Sequence, residues 1–174
     1  GRAWYLTTEV GDRSVTIVDD RKKSHVGDNY YSLDFDNSYF DGNAIKWDTS
    51  EMIPVLAAAD GYVSETGENE YDATKDPPER NGHYVVIRHG IPGHESYFET
   101  TYLHLVNPTT LTNGNSIPRG TLLGFMGNSG MFPKNEVTNK LVHLHFGVRF
   151  FTKGMEKASG NLDIQQLRRV RLED

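Results

Sequence analysis

The chain has 174 residues and a mass of 19.6 kDa, enough for one domain that hides roughly 70% of the surface its unfolded form would expose. It contains no cysteine, which excludes disulfide frameworks, four-cysteine zinc sites, iron–sulfur clusters and thiol catalysis. A net charge of −6, from 18 basic and 24 acidic residues, argues against nucleic-acid binding. A mean hydropathy of −0.59, with no apolar run of spanning length, argues against a membrane-spanning chain.

In chain order, Gly1–Val10 shows no signal-peptide pattern, as expected of a matured chain whose export signal is already gone. Short runs rich in Val, Tyr, Phe and Thr then predict strands at Ser14–Val18, Tyr30–Phe35, Met52–Ala58, Tyr62–Glu65, His83–Arg88, Glu95–His104, Thr121–Gly127 and Val142–Phe151. Asp60-Gly61 has hairpin-turn chemistry and predicts that the strands on either side of it pair with each other. Gly67–Asn81 is polar and acidic and contains Pro77-Pro78, which reads as a surface insertion. The tail over 159–174 fits either a short helix or a closing strand. Few windows keep a helical apolar period, and neither a repeat nor a linker is visible. The fold class expected is mainly β: a single domain over 1–174, built on a twisted antiparallel sheet.

Three strands carry residues with chemical potential. In Tyr31-Ser32-Leu33-Asp34-Phe35-Asp36, alternation separates an apolar face (Tyr31, Leu33, Phe35) from a polar one (Ser32, Asp34, Asp36). An aspartate held among bulky apolar neighbours needs a partner, for which a cation is suited. The turn-rich loop His25-Val26-Gly27-Asp28-Asn29 can swing His25 back over Asp34. In Tyr102-Leu103-His104-Leu105, alternation places Tyr102 with His104 and Leu103 with Leu105. In Val142-His143-Leu144-His145-Phe146-Gly147-Val148, the apolar residues point to the core and leave His143 and His145 together on the other face, about 6.5–7 Å apart along the backbone. Taken singly, each pattern reads more simply as a solvated strand face. Together they supply the His and Asp ligands that zinc takes, with histidines left over to move a proton.

Other site types are poorly served. HExxH, P-loop, GxGxxG and GxSxG patterns are missing from the sequence. The acidic residues around the insertion (Glu65, Glu68, Glu70, Asp72, Asp76 and Glu79) do not have the spacing of an EF-hand loop. His83, His89 and His94 read as structural or solvated.

The combined pattern resembles the lysostaphin-like zinc metalloendopeptidases, a family of peptidoglycan hydrolases, in its staphylolysin-like branch. The matching elements run from about 25 to 150. They are His25 with Leu33-Asp34-Phe35, Pro54-Val55, Ala58-Ala59-Asp60-Gly61-Tyr62-Val63, Tyr84-Val85-Val86-Ile87-Arg88-His89, Tyr102-Leu103-His104-Leu105, Gly114, Gly120, Leu123-Gly124, Gly127-Asn128-Ser129-Gly130 and His143-Leu144-His145-Phe146. The resemblance implies a loop-walled groove on the sheet, with Zn²⁺ bound by His25, Asp34 and His145. His104 and His143 would flank the attacking water and the scissile peptide as catalytic residues. It implies cleavage of peptide cross-bridges in peptidoglycan, near glycine or D-amino acids, in a secreted, periplasmic or cell-envelope setting. An inhibitory propeptide or regulatory partner would lie outside this chain.

Departures from the family pattern are visible too. Tyr30 stands where many members carry the first ligand, so the longer spacing to His25 is chosen; a long Met131–Leu141 segment leads into the paired histidines; and no tyrosine follows Tyr102. Rival expectations are a secreted protease for glycine-rich proteins, a catalytically inactive wall-binding or regulatory relative, and a phosphocarrier of the sugar phosphotransferase type. A phosphocarrier has no use for a zinc-binding aspartate.

Overall fold

A computed structural model describes residues 5–8, 32–36, 38–40, 43, 45–47, 52–72, 74, 81–91, 93, 95–133 and 142–151. Its strands are β1 (Tyr5–Thr8), β2 (Leu33–Asp36), β3 (Ser38–Phe40), β4 (Ile45–Trp47), β5 (Pro54–Leu56), β6 (Gly61–Asn69), β7 (Gly82–Gly90), β8 (Tyr97–Leu105), β9 (Ser116–Ile117), β10 (Leu122–Phe125) and β11 (His143–Phe151). Among the described residues there is no helix. The strands predicted around 52–58, 62–65, 83–88, 95–104, 121–127 and 142–151 are present, and the mainly β, antiparallel fold is as expected. The Ser14–Val18 strand, His25 and the tail over 159–174 lie outside the described residues. The short strands β1, β3, β4 and β9 are not among the sequence-based expectations.

Seven strands form one antiparallel sheet in the order β1-β2-β11-β8-β7-β6-β9. β5 pairs with β10 in a separate ribbon, and β3 pairs with β4. The core gathers Val63, Val85, Ile87, Tyr102, Leu105 and Ile117 of the large sheet with Val55, Ala57, Leu123 and Met126 of the ribbon and its ends. Burying a side chain of this size contributes about 1.5–3 kcal/mol, so these contacts fix the ribbon against one face of the sheet. A main-chain bond reinforces the join, with Val106 N–H donating to Phe125 O at 2.9 Å.

This arrangement overturns the expected hairpin at Asp60-Gly61. β5 pairs with β10 and β6 pairs with β7 and β9, so the turn carries the chain from the ribbon to the sheet and does not join two partners. Long-range contacts hold it: Asp60 Oδ1 accepts from Arg119 N–H at 2.7 Å, and the Asp60 carbonyl bonds His89 Nδ1 at 2.8 Å. The expected surface insertion also begins later than its composition indicates. Gly67, Glu68 and Asn69 continue β6 in register with Tyr84, His83 and Gly82. Polar side chains on a strand with one exposed edge or face are compatible with regular pairing, which is why composition alone misplaces the boundary.

Candidate active site

β2 and β11 build the first half of the site. Their antiparallel register places His145 opposite Asp34 and His143 opposite Asp36, and residues directly opposite share a face. His145 Nδ1 lies 2.9 Å from Asp34 Oδ1, and His143 Nε2 lies 3.9 Å from the same oxygen. Leu144 and Phe146 alternate away from them, half-buried against the core. The expected division of the paired-histidine strand is therefore correct, but neither imidazole is solvated, since only 12% and 8% of the two side chains is exposed. Around β2 two polar residues are covered more than the apolar ones, and Asp34 is half-buried. Ser32 and Asp36 are buried, whereas Leu33 and Phe35 are half-buried.

β8 supplies the second half by an irregularity. The β7–β8 register runs Val85 to Tyr102 and then His83 to Leu105, leaving Tyr84 alone opposite both Leu103 and His104. This is a β-bulge, with His104 at φ 65°, the one described non-glycine residue at positive φ. The bulge breaks the alternation on which the sequence reading relied. Tyr102 points into the core, its ring 5.3 Å from that of Phe146, whereas His104 turns to the opposite face. There its ring centroid lies 4.7 Å from that of His143 and 5.9 Å from that of His145. Tyr102 and His104 thus do not share a face, and Leu105 packs in the same core cluster as Tyr102. A histidine in this backbone region costs about 1–3 kcal/mol, which the surrounding contacts must offset.

Those contacts come from the 127–130 segment. His104 Nδ1 bonds the Ser129 carbonyl at 2.9 Å, and because a carbonyl only accepts, Nδ1 carries the hydrogen. Gly127 packs where a Cβ would come within 2.8 Å of the His104 carbonyl. Burial, with the imidazoles of His143 and His145 beside it, holds the His104 pKa well below the usual histidine value, so the ring is neutral.

The same face continues into an ion cluster. Arg88 bonds Glu99 through Nε and Nη2 at 3.0 and 2.9 Å, Arg149 stands 3.7 Å from Glu99, and Arg88 lies 4.0 Å over the Tyr97 ring. Two guanidinium groups share this one carboxylate, and Arg149 Nε is buried without a hydrogen-bond partner. His89, expected to be structural, is so: it is buried between Asp60 O and Thr100 Oγ1 and stacked on Phe98 at 4.6 Å.

Of the five residues singled out from sequence, the structure brings Asp34, His104, His143 and His145 together; His25 is outside the described residues. Among the described residues no group of three His, Cys, Asp or Glu side chains is placed to hold a metal ion. Ser129 and Gly82, which hold His104 in place, were not picked out as site residues. Ser129 sits in the Gly127-Asn128-Ser129-Gly130 run, which the sequence marks as a loop and as an element of the family resemblance, with nothing to single out the serine.

Comparison with known proteins decides the family. The model for peptidase family M23 matches residues 41–158. The chain belongs to peptidase family M23. Its structure is similar to the catalytic domain of the antimicrobial peptidase lysostaphin from Staphylococcus simulans, with a TM-score of 0.56 and 16% identity over 95% of this chain and 92% of that one. It is similar to a variant of the catalytic domain of the prophage-encoded M23 protein EnpA from Enterococcus faecalis, with a TM-score of 0.54 and 15% identity over 95% and 92% of the two chains. A putative glycyl-glycine endopeptidase lytM from Ruminococcus gnavus matches with a TM-score of 0.50 and 26% identity, covering 78% of this chain and 45% of that one. No curated protein matches the sequence. The lysostaphin-like M23 assignment expected from sequence is therefore correct. Among the described residues no helix is long and apolar enough to cross a membrane.

Proposed function

We propose that this M23 member is a zinc-dependent endopeptidase that hydrolyses peptide cross-bridges of bacterial peptidoglycan outside the cytoplasm. The observation that carries the reading is the convergence of Asp34, His104, His143 and His145 on one polar face of the sheet. The donor chemistry fits zinc: a carboxylate oxygen and an imidazole nitrogen already meet at 2.9 Å, and both are ligand types that Zn²⁺ takes. Asp34 and His145 would hold the ion, with His25 as the third ligand by family resemblance. When bound, zinc supplies Lewis acidity, polarising a carbonyl and drawing a water's pKa from about 15.7 towards about 7.

The remaining work falls to the chain's own residues. His104, neutral and carrying its hydrogen on Nδ1, offers Nε2 as an acceptor for the proton of the attacking water. His143, between His104 and Asp34, would hydrogen-bond the substrate oxygen and help return a proton to the leaving amine. A pocket of about 190 Å³ adjoins this centre through Ser129, with Glu68, Tyr71, His83 and Phe132 in its wall. It supports a role for the 67–81 segment at the edge of the groove. Replacing residues 70–80 with a short flexible linker, which spares the paired Gly67–Asn69 and Asn81, and comparing pentaglycine with D-Ala-containing bridges tests the role, and unchanged preference would end it.

The test of the function pairs elemental analysis with digestion of purified peptidoglycan, reading new amino termini by mass spectrometry. About one zinc per chain and new termini, both lost in His145→Ala, are expected. Zinc-loaded protein that releases no new termini from any wall type would end the reading. Cleavage of glycine-rich proteins with no action on walls would move it to a general secreted protease.

A further inference from the structure

We infer that Ser129 is a positioning residue for His104: its carbonyl holds the ring in the Nδ1–H tautomer, and its hydroxyl holds that carbonyl in place. The role assigned to His104 rests on the proposed function; the geometry of the clamp does not.

Five contacts define the clamp. His104 Nδ1–H donates to Ser129 O at 2.9 Å. Ser129 Oγ–H donates to Leu105 O at 2.6 Å, and Ser129 Oγ accepts from His83 N–H at 2.8 Å. Gly82, at φ 60°, lies so close to Ser129 that a Cβ there would collide with its main chain. His104 N–H, at the bulge itself, donates to Asn81 O at 3.1 Å. One serine is thus tied to the residue after His104, to the residue opposite it on β7, and to the imidazole.

The chemical consequence follows from which nitrogen bears hydrogen. A neutral imidazole donates from one nitrogen and accepts at the other, and the hydrogen bond made by one decides the state of the other. With Nδ1–H committed to Ser129 O, Nε2 is the acceptor. When Nε2 takes the water's proton, the Nδ1–H bond remains and stabilises the imidazolium. Without the clamp, the ring is free to exchange tautomers and to leave the bulge geometry, which fixes both its direction and its distance from His143. Misplacement of this order near the reacting atoms reduces rates by up to about 10²-fold.

The experiment combines nitrogen-15 NMR of the imidazoles with steady-state kinetics on a wall peptide. In the wild type, His104 is expected as the Nδ1–H tautomer. In Ser129→Ala the tautomer signal should become mixed and kcat should fall about 10- to 100-fold with KM within about twofold. Ser129→Thr, which keeps the hydroxyl, should restore most of both. An Nε2–H tautomer in the wild type, or a Ser129→Ala protein with unchanged tautomer and kcat, would overturn the inference. The tautomer arm needs no turnover: a wild type with the expected tautomer that cleaved no wall peptide would count against the proposed function and leave the clamp standing. Should Ser129→Ala fail to fold, the wild-type tautomer and the Ser129→Thr kinetics still decide.

Discussion

His104 and His89 sit on neighbouring strands and begin alike. Both are buried, both carry hydrogen on Nδ1 for a main-chain carbonyl, Ser129 O at 2.9 Å and Asp60 O at 2.8 Å, and burial lowers both pKa values. They differ in the other ring edge. At His89, Nε2 meets Thr100 Oγ1 at 2.7 Å, Thr100 in turn bonds Tyr102 Oη at 3.1 Å, and Tyr102 accepts from Ala58 N–H at 2.9 Å. That network closes on itself and ties the sheet to the ribbon. His104 instead meets the rings of His143 and His145 and occupies a strained backbone region. A buried histidine satisfied at both nitrogens is a strut. One held at a single nitrogen, with the other turned to further imidazoles and a carboxylate, is equipped to move a proton.

The largest expected effect tests whether the site face works as one unit. Asp34→Ala should abolish zinc binding and peptidase activity together, read by elemental analysis and turnover, while the core keeps its cooperative unfolding. Retained zinc and activity would break the proposed ligand pair. Next, His104→Gly should lower kcat by about 10²–10⁴-fold with zinc retained. Because glycine accepts positive φ freely, its stability should stay level or rise by about 1 kcal/mol despite loss of the ring's contacts. His89→Ala is expected to do the reverse, costing about 2–4 kcal/mol in denaturant unfolding while kcat per folded molecule stays unchanged. If His89→Ala matched His104→Gly in kcat at full stability, the distinction between strut and proton carrier would fail.

The smallest effect is a pH dependence. The folded pKa of His89 is lowered by burial from its ordinary 6.5, so below about pH 6.5 the unfolded chain binds the proton more readily. Its contribution to stability is present above that value and is lost as pH falls from there towards the folded pKa. Denaturant midpoints measured between pH 7.5 and 5 should therefore fall on acidification, and His89→Gln should reduce the slope, leaving the share carried by His104. An unchanged slope would place the pH-sensitive group elsewhere.

Much of this molecule is local, and so legible. A strand's side chains repeat every two residues, which is why Val142–Val148 alone separates His143 and His145 from Leu144 and Phe146. The antiparallel β class follows likewise from short branched and aromatic runs broken by glycine, and four of the five candidate residues lie together on one face. Three features were out of reach. The meeting of Asp34 with His145 spans 111 residues and depends on β2 lying beside β11. The destination of the Asp60-Gly61 turn depends on contacts with Arg119 and His89. The reversal of His104 depends on one extra residue in β8, stabilised by Ser129 and Gly82 from two other segments. Side-chain period is a property of the chain itself, whereas strand order, register and bulges are chosen by the free energy of pairing and packing among distant segments. Sequence thus determined which residue types this protein brings to its chemistry; only the tertiary structure decided which of them meet, and from which edge of the ring.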